Sequence, residues 1–171
     1  MFPLDLATNT ALSNVDNPVF SAAFYFATWL FNTVPFIVLL ALTAFLVYKR
    51  YGKREALMVL FASLSAFVLA WALKLGFDIA RPLHPRISDF GPSFPSGHTA
   101  VATAYFLSLL HFLRHAHNKW RRAVHIAFCI ACALFVGVSR LYFGVHWLSD
   151  VIAGYVVGAF AIYLTIKLFR K

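Results

Sequence analysis

Charge is what this chain has least of. Asp, Glu, Lys and Arg make up 12% of its 171 residues, against about a quarter in soluble domains, which excludes an ordinary hydrated surface. With 61% hydrophobic residues, the bilayer is the expected solvent. No Lys or Arg precedes Lys49, so the basic start of a signal peptide is missing and cleavage is not expected. No internal repeat is visible. There are two cysteines, Cys129 and Cys132. Their spacing is redox-like, but they sit inside an apolar stretch, where free thiols pack as small hydrophobes. His111, His115, His117 and His125 have no Cys or carboxylate beside them, and they read as a polar loop region rather than a metal centre.

Apolar runs are what the chain does have. Crossing the hydrocarbon core takes about 20 mostly apolar residues. Spans are expected at Val34 to Tyr48, Ala56 to Phe77, Thr99 to Phe112, Ala123 to Val138 and Trp147 to Phe169. The connections leave no room for a soluble domain, so residues 1–171 are expected to form one membrane-embedded, all-α polytopic bundle of five spans. The segment around Phe20 to Phe31 is rich in Phe, Tyr and Trp and is expected to be an interfacial helix. A sixth span would require a tight turn between Asn32 and Pro35.

Basic residues give the orientation. Lys49, Arg50, Lys53, Arg54, Arg114, Lys119, Arg121, Arg122, Lys167, Arg170 and Lys171 are eleven of the fifteen Lys and Arg, and all fall on one side, expected to be cytoplasmic. The net charge of +9 then reads as topology and contact with anionic lipid, not as a nucleic-acid footprint. Lys74, Arg81, Arg86 and Arg140 remain, on the opposite side with His84, His98 and His146. Charges at membrane depth are costly and mark functional sites by default.

Their local patterns suggest chemistry. Lys74 and Arg81 are seven residues apart, two helical turns, and share a face if the helix runs that far; Pro82 then stops it. In "PSGH", Ser96 is a good helix cap, Gly97 allows close backbone approach, and the open amides make an anion site facing His98. His146 and Asp150 are four apart, so a carboxylate can hold one imidazole nitrogen while the other stays free. Such a pair serves a nucleophile, a general base or a metal ligand alike.

The three segments resemble the type 2 phosphatidic acid phosphatase family, the lipid phosphate phosphatase and vanadium haloperoxidase superfamily. Its pattern is Lys, six residues, Arg-Pro; Pro-Ser-Gly-His; and Ser-Arg, five residues, His, three residues, Asp. Here these are Lys74, Arg81, Pro82; Pro95, Ser96, Gly97, His98; and Ser139, Arg140, His146, Asp150, a motif-bearing core over residues 74–150.

The resemblance implies catalytic residues His146, His98 and Asp150. His146 is the nucleophile that forms a phosphohistidine, Asp150 orients it, and His98 protonates the leaving oxygen and later activates water. Lys74, Arg81, Ser96, Gly97 and Arg140 would bind the phosphate, supported by Ser139, with no metal and no cofactor. Neutral His146 and charged His98 predict a bell-shaped pH profile.

The expected substrate is a lipid phosphate in the bilayer: undecaprenyl diphosphate, phosphatidylglycerophosphate, phosphatidic acid or a lipid A 1-phosphate. The site is expected on the non-cytoplasmic face of a bacterial inner membrane. A transporter or flippase of an anionic lipid is the alternative, weakened by the missing repeats and by the paired histidines. A haloperoxidase is weakened by the apolar spans.

Overall fold

The computed structural model describes residues 2–112 and 118–170. Arg114, His115, His117 and Lys171, used above for topology and for the histidine region, lie outside the described residues. Seven helices and no strand occur among those described: α1 Pro3–Ser13, α2 Pro18–Leu30, α3 Thr33–Tyr51, α4 Lys53–Phe77, α5 Gly97–Phe112, α6 Lys119–Tyr142 and α7 Leu148–Leu168.

Four of them, α3, α4, α6 and α7, are long and apolar enough to cross a membrane, and the chain is an integral membrane protein. The α5 helix has 16 described residues, about 24 Å at 1.5 Å per residue. With 13 residues, α2 reaches only about 20 Å, short of a hydrocarbon core about 30 Å thick. The aromatic segment is therefore a separate short helix, broken from α3 at Phe31 and Asn32. The first helix, α1, has no counterpart among the expected elements, because its many polar residues hide it.

Lipid-facing and buried positions are inverted relative to a soluble domain. Leu75 is 74% exposed while its neighbour Lys74 is 6% exposed; large apolar side chains cover the outward faces, and charged groups lie inside.

The central helix is α5, packed against α4, α6 and α7. Small residues make this possible. Ala100, Ala102 and Ala104 are fully buried, and α7 offers Gly154 and Gly158 to the same seam. A Cβ on Gly154 would come within 2.8 Å of the Ser96 carbonyl oxygen and of Thr99 Cβ. In membranes, where helix association rests on van der Waals packing, such small residues let backbones approach closely. The consequence is positional: the start of α7 is locked beside the start of α5, and the Ser96 amide donates to the Asp150 carbonyl at 3.0 Å.

The second span stops earlier than the spacing of Lys74 and Arg81 suggests. Asp78 adopts a left-handed conformation (φ 43°, ψ 45°) and ends α4 at Phe77. Arg81 therefore sits in the following loop, four residues beyond the helix, and reaches the interior from there rather than from a shared helix face.

Candidate active site

Ends of four long helices meet the 78–96 loop at one end of the bundle. Lys74 comes from the last turn of α4 and Arg140 from the last turn of α6. Ser96 and Gly97 stand at the start of α5, and Asp150 lies in the first turn of α7. His146 belongs to the short α6–α7 connection.

Asp150 organises this connection. Its Oδ2 accepts from the Trp147 amide at 2.8 Å, closing the N-terminus of α7, and also from the Ser93 hydroxyl. The same oxygen faces His146 Nδ1 at 3.2 Å. The two residues thus meet across a helix cap, since His146 precedes the helix, and not along one helix face. A carboxylate on Nδ1 keeps the proton there and leaves the Nε2 lone pair free.

His146 Nε2 looks into a cluster of charge. Arg81 Nη1 is 3.3 Å away and also donates to the Val145 carbonyl at 2.8 Å. Burial, then Arg140, Arg81 and Lys74, hold the imidazole well below its ordinary 6.5, because each opposes a further positive charge.

Asp89, from the loop, fills the space between the cations. Its carboxylate is 3.2 Å from Arg81 Nη1, is ion-paired with Arg140, and stands 3.8 Å from His146 Nε2. Burial raises this carboxyl, but Arg140 and Arg81 lower it by more, so it lies below its ordinary 3.8.

Lys74 Nζ donates to the carbonyls of Pro92 and Ser93 at 2.5 and 3.1 Å, and Arg81 Nη2 also reaches Pro92 O at 3.4 Å. Ser96 Oγ accepts from the Thr99 amide and hydroxyl, at 3.5 and 2.9 Å, as a helix cap does. The missing Cβ of Gly97 would meet only Lys74 Cε, at 3.9 Å. Ser139 is buried and bonded to Thr28 and to the Val136 carbonyl. His98 lines a cavity of about 320 Å³ together with Arg140, Asp89 and residues of α2.

Not every polar residue of this side belongs to the cluster. Arg86 donates to the carbonyls of Leu12, Ser13 and Val15 and stacks over Tyr142, 4.5 Å from the ring centroid. It fastens the end of α1 to α6. His84 is exposed in the loop. Cys129 and Cys132 are free thiols within α6. Among the described residues no three His, Cys, Asp or Glu come together as metal ligands.

Comparison with known proteins decides the lineage. Residues 55–171 match the model of the PAP2 superfamily. The chain belongs to that superfamily. It is 30% identical over 148 residues to a Bacillus subtilis protein named phosphatidylglycerophosphatase B, covering 81% of this chain and 71% of the relative. It is 36% identical over 116 residues to the lipid A 1-phosphatase of Rhizobium johnstonii, covering 61% of this chain but 43% of that one. Among solved structures, a transmembrane PAP2-type phosphatidylglycerolphosphate phosphatase from Bacillus subtilis superposes with a TM-score of 0.81 at 25% identity, over 96% of this chain and 83% of that one.

Proposed function

We infer that this PAP2 superfamily member is a metal-independent phosphatase of a membrane lipid phosphate, working through a phosphohistidine on His146. One observation carries the reading: a carboxylate, that of Asp89, is gripped by Arg81 and Arg140 beside Nε2 of His146. An anion already occupies the position in which a phosphoryl group would face the nucleophile.

Charge fits a phosphate. Lys74, Arg81 and Arg140 against Asp89 and Asp150 leave an excess of one positive charge with both histidines neutral. With the Asp89 carboxylate displaced the excess is two, and three once His98 carries the proton that it gives, so a phosphomonoester dianion meets net positive charge. In phosphoryl transfer the protein's task is mainly positioning and charge stabilisation, and three fixed cations with the α5 N-terminus take the part that Mg²⁺ plays elsewhere. Gly97 leaves open space for a phosphoryl oxygen near that terminus.

His146 Nε2 attacks phosphorus, the N–P bond forms as the P–O bond to the lipid breaks, and His98 gives its proton to the departing oxygen. Water then attacks the phosphohistidine, passing a proton to His98, and the N–P electron pair returns to Nε2. Asp150 keeps Nδ1 protonated throughout.

The substrate is an amphiphile such as phosphatidylglycerophosphate, phosphatidic acid, undecaprenyl diphosphate or a lipid A 1-phosphate. Residues 1–171 act as a single domain, with α3 to α7 as five crossings and α1 and α2 at the interface. The exposed basic end faces the cytoplasm of a bacterial inner membrane, and the site opens on the other side.

The test is inorganic phosphate release from these lipids in detergent with excess chelator. Full activity, lost in His146→Gln, is expected. Activity that chelator abolishes, or that survives in His146→Gln, overturns the reading.

A further inference from the structure

Three helices begin after an asparagine. Asn17 caps α2, its Oδ1 accepting from the Val19 and Phe20 amides at 2.9 and 3.2 Å. Asn118 caps α6 through the Arg121 amide at 3.1 Å. Asn32 occupies the same position before α3, yet its side chain makes no capping bond. Local sequence contributes to this, because the third residue of α3 is Pro35, which has no amide hydrogen to offer. The side chain turns away from its own helix, and its Oδ1 lies 2.9 Å from His98 Nε2.

A second contact leaves the same region four residues earlier. Thr28, buried in α2, meets Ser139 Oγ at 3.0 Å and accepts from Arg140 Nη1 at 3.3 Å. Tyr25, Thr28 and Trp29 share one face of α2, and together with Asn32, just beyond the helix, they line the cavity that Asp89 and Arg140 also line. None of them falls within residues 55–171, the part that matches the superfamily. The N-terminal segment thus bonds to the acid–base histidine of one motif and to the arginine of another.

We propose that Asn32 is a positioning residue for His98, holding a proton on Nε2 and fixing the ring so that the other nitrogen serves the leaving oxygen, and that α2 forms the leaving-group wall of the site. This rests on the phosphatase reading above. An amide carbonyl is a neutral acceptor, so it orients the ring without adding charge. The charged and titratable groups that reach His98 from the other elements are Arg140 of α6, His146 of the α6–α7 connection, Arg81 of the loop and Lys74 of α4, with Asp89 on the cavity wall.

The full chain in detergent is the test, with kcat/KM measured on a short-chain phosphatidic acid and on p-nitrophenyl phosphate. The lipid's alkoxide needs a proton to leave; nitrophenolate does not. Asn32→Ala is expected to lose tenfold or more on the lipid, on the order of what misplacing a catalytic group costs, and distinctly less on the aryl ester. Equal losses on both, or none on the lipid, overturn the proposal.

A second measurement does not need turnover. In histidine-labelled protein, with the His98 signal identified through His98→Gln, Asn32→Asp is expected to raise the His98 titration midpoint by about one pH unit, since an adjacent carboxylate favours the imidazolium. An unmoved midpoint overturns the contact. If the wild type and His146→Gln release the same phosphate, the phosphatase reading fails, while the midpoint still decides whether Asn32 touches His98.

Discussion

The two ends of the bundle use the same residue types in opposite ways. At one end Lys49, Arg50, Lys53, Arg54, Lys119, Arg121, Arg122, Lys167 and Arg170 are all exposed. Several lie over aromatic rings, as Lys49 does over Phe45 and Lys167 over Tyr163, with apolar stems on the helix surface and heads toward water. At the other end Lys74 and Arg140 are 6% and 1% exposed, held by loop carbonyls and by a carboxylate. A cation left in water costs little and sets topology. A cation withdrawn from it must be bonded on all sides or kept ready for an anion. Burial, not residue type, separates the two roles, and Arg140 Nε, buried without a partner, shows that the second end is not fully satisfied.

That contrast can be broken or sharpened by substitution. The largest effect is expected at the proposed nucleophile: His146→Gln should reduce phosphate release by more than about 10³-fold, with no radiolabel trapped on the protein from a ³²P-labelled lipid. Next, Arg140→Met should lower kcat/KM by about 10²- to 10³-fold, the cost of removing one preorganised donor. If Arg121→Gln at the exposed end lost as much, the distinction between the ends would collapse.

Asp89→Asn should act in the reverse direction. Removing the internal carboxylate should tighten inhibition by inorganic phosphate or vanadate about tenfold or more, since hydrogen bonds to charged groups span about 1.5–3 kcal/mol, and weaker inhibition would show that Asp89 helps to hold the anion.

A smaller effect is expected from pH. Because His146 titrates below 6.5 in the folded chain, between 6.5 and that lowered value the unfolded chain binds a proton that the folded chain does not. Thermal stability in detergent should therefore fall as pH drops below 6.5 and level off once the folded imidazole also protonates, and the fall should shrink in His146→Gln. Smallest of all, replacing Lys119, Arg121 and Arg122 together by Gln should change turnover in detergent by less than about twofold, since exposed charges contribute little.

Much of this was legible beforehand. The apolar runs located all five long or central helices to within a few residues, because the bilayer demands long apolar segments whatever the packing. Motif spacing singled out Lys74, Arg81, His98, Arg140, His146 and Asp150 before any contact was known. Arg86, outside the motifs, stood out only as a basic residue on the side poor in positive charge, and it fastens α1. Asp89 and Asn32 could not be singled out. Asp89 is one acid in an irregular loop, and Asn32 looks like any helix cap until its side chain is seen to cap nothing. A faint signal did exist in Pro35, which deprives an Asn cap of one of its usual partners. Asp5, buried in α1 and accepting from the Ser149 amide and hydroxyl at 2.8 and 3.0 Å, gave none, because its partner lies at the far end of the chain.

The sequence by itself determined the solvent, the apolar helices and the set of motif residues, since each follows from local composition or from short spacing within one segment. Tertiary structure alone decided that α4 stops before Arg81, that His146 meets Asp150 across a cap, that Asp89 lies between two arginines, and that Thr28 of α2 reaches Arg140 while Asn32, between α2 and α3, reaches His98. These depend on which helix ends are brought together, and that is fixed by the close fit of Gly154 and Gly158 against α5, a matter of van der Waals contact between segments that no single stretch of sequence contains.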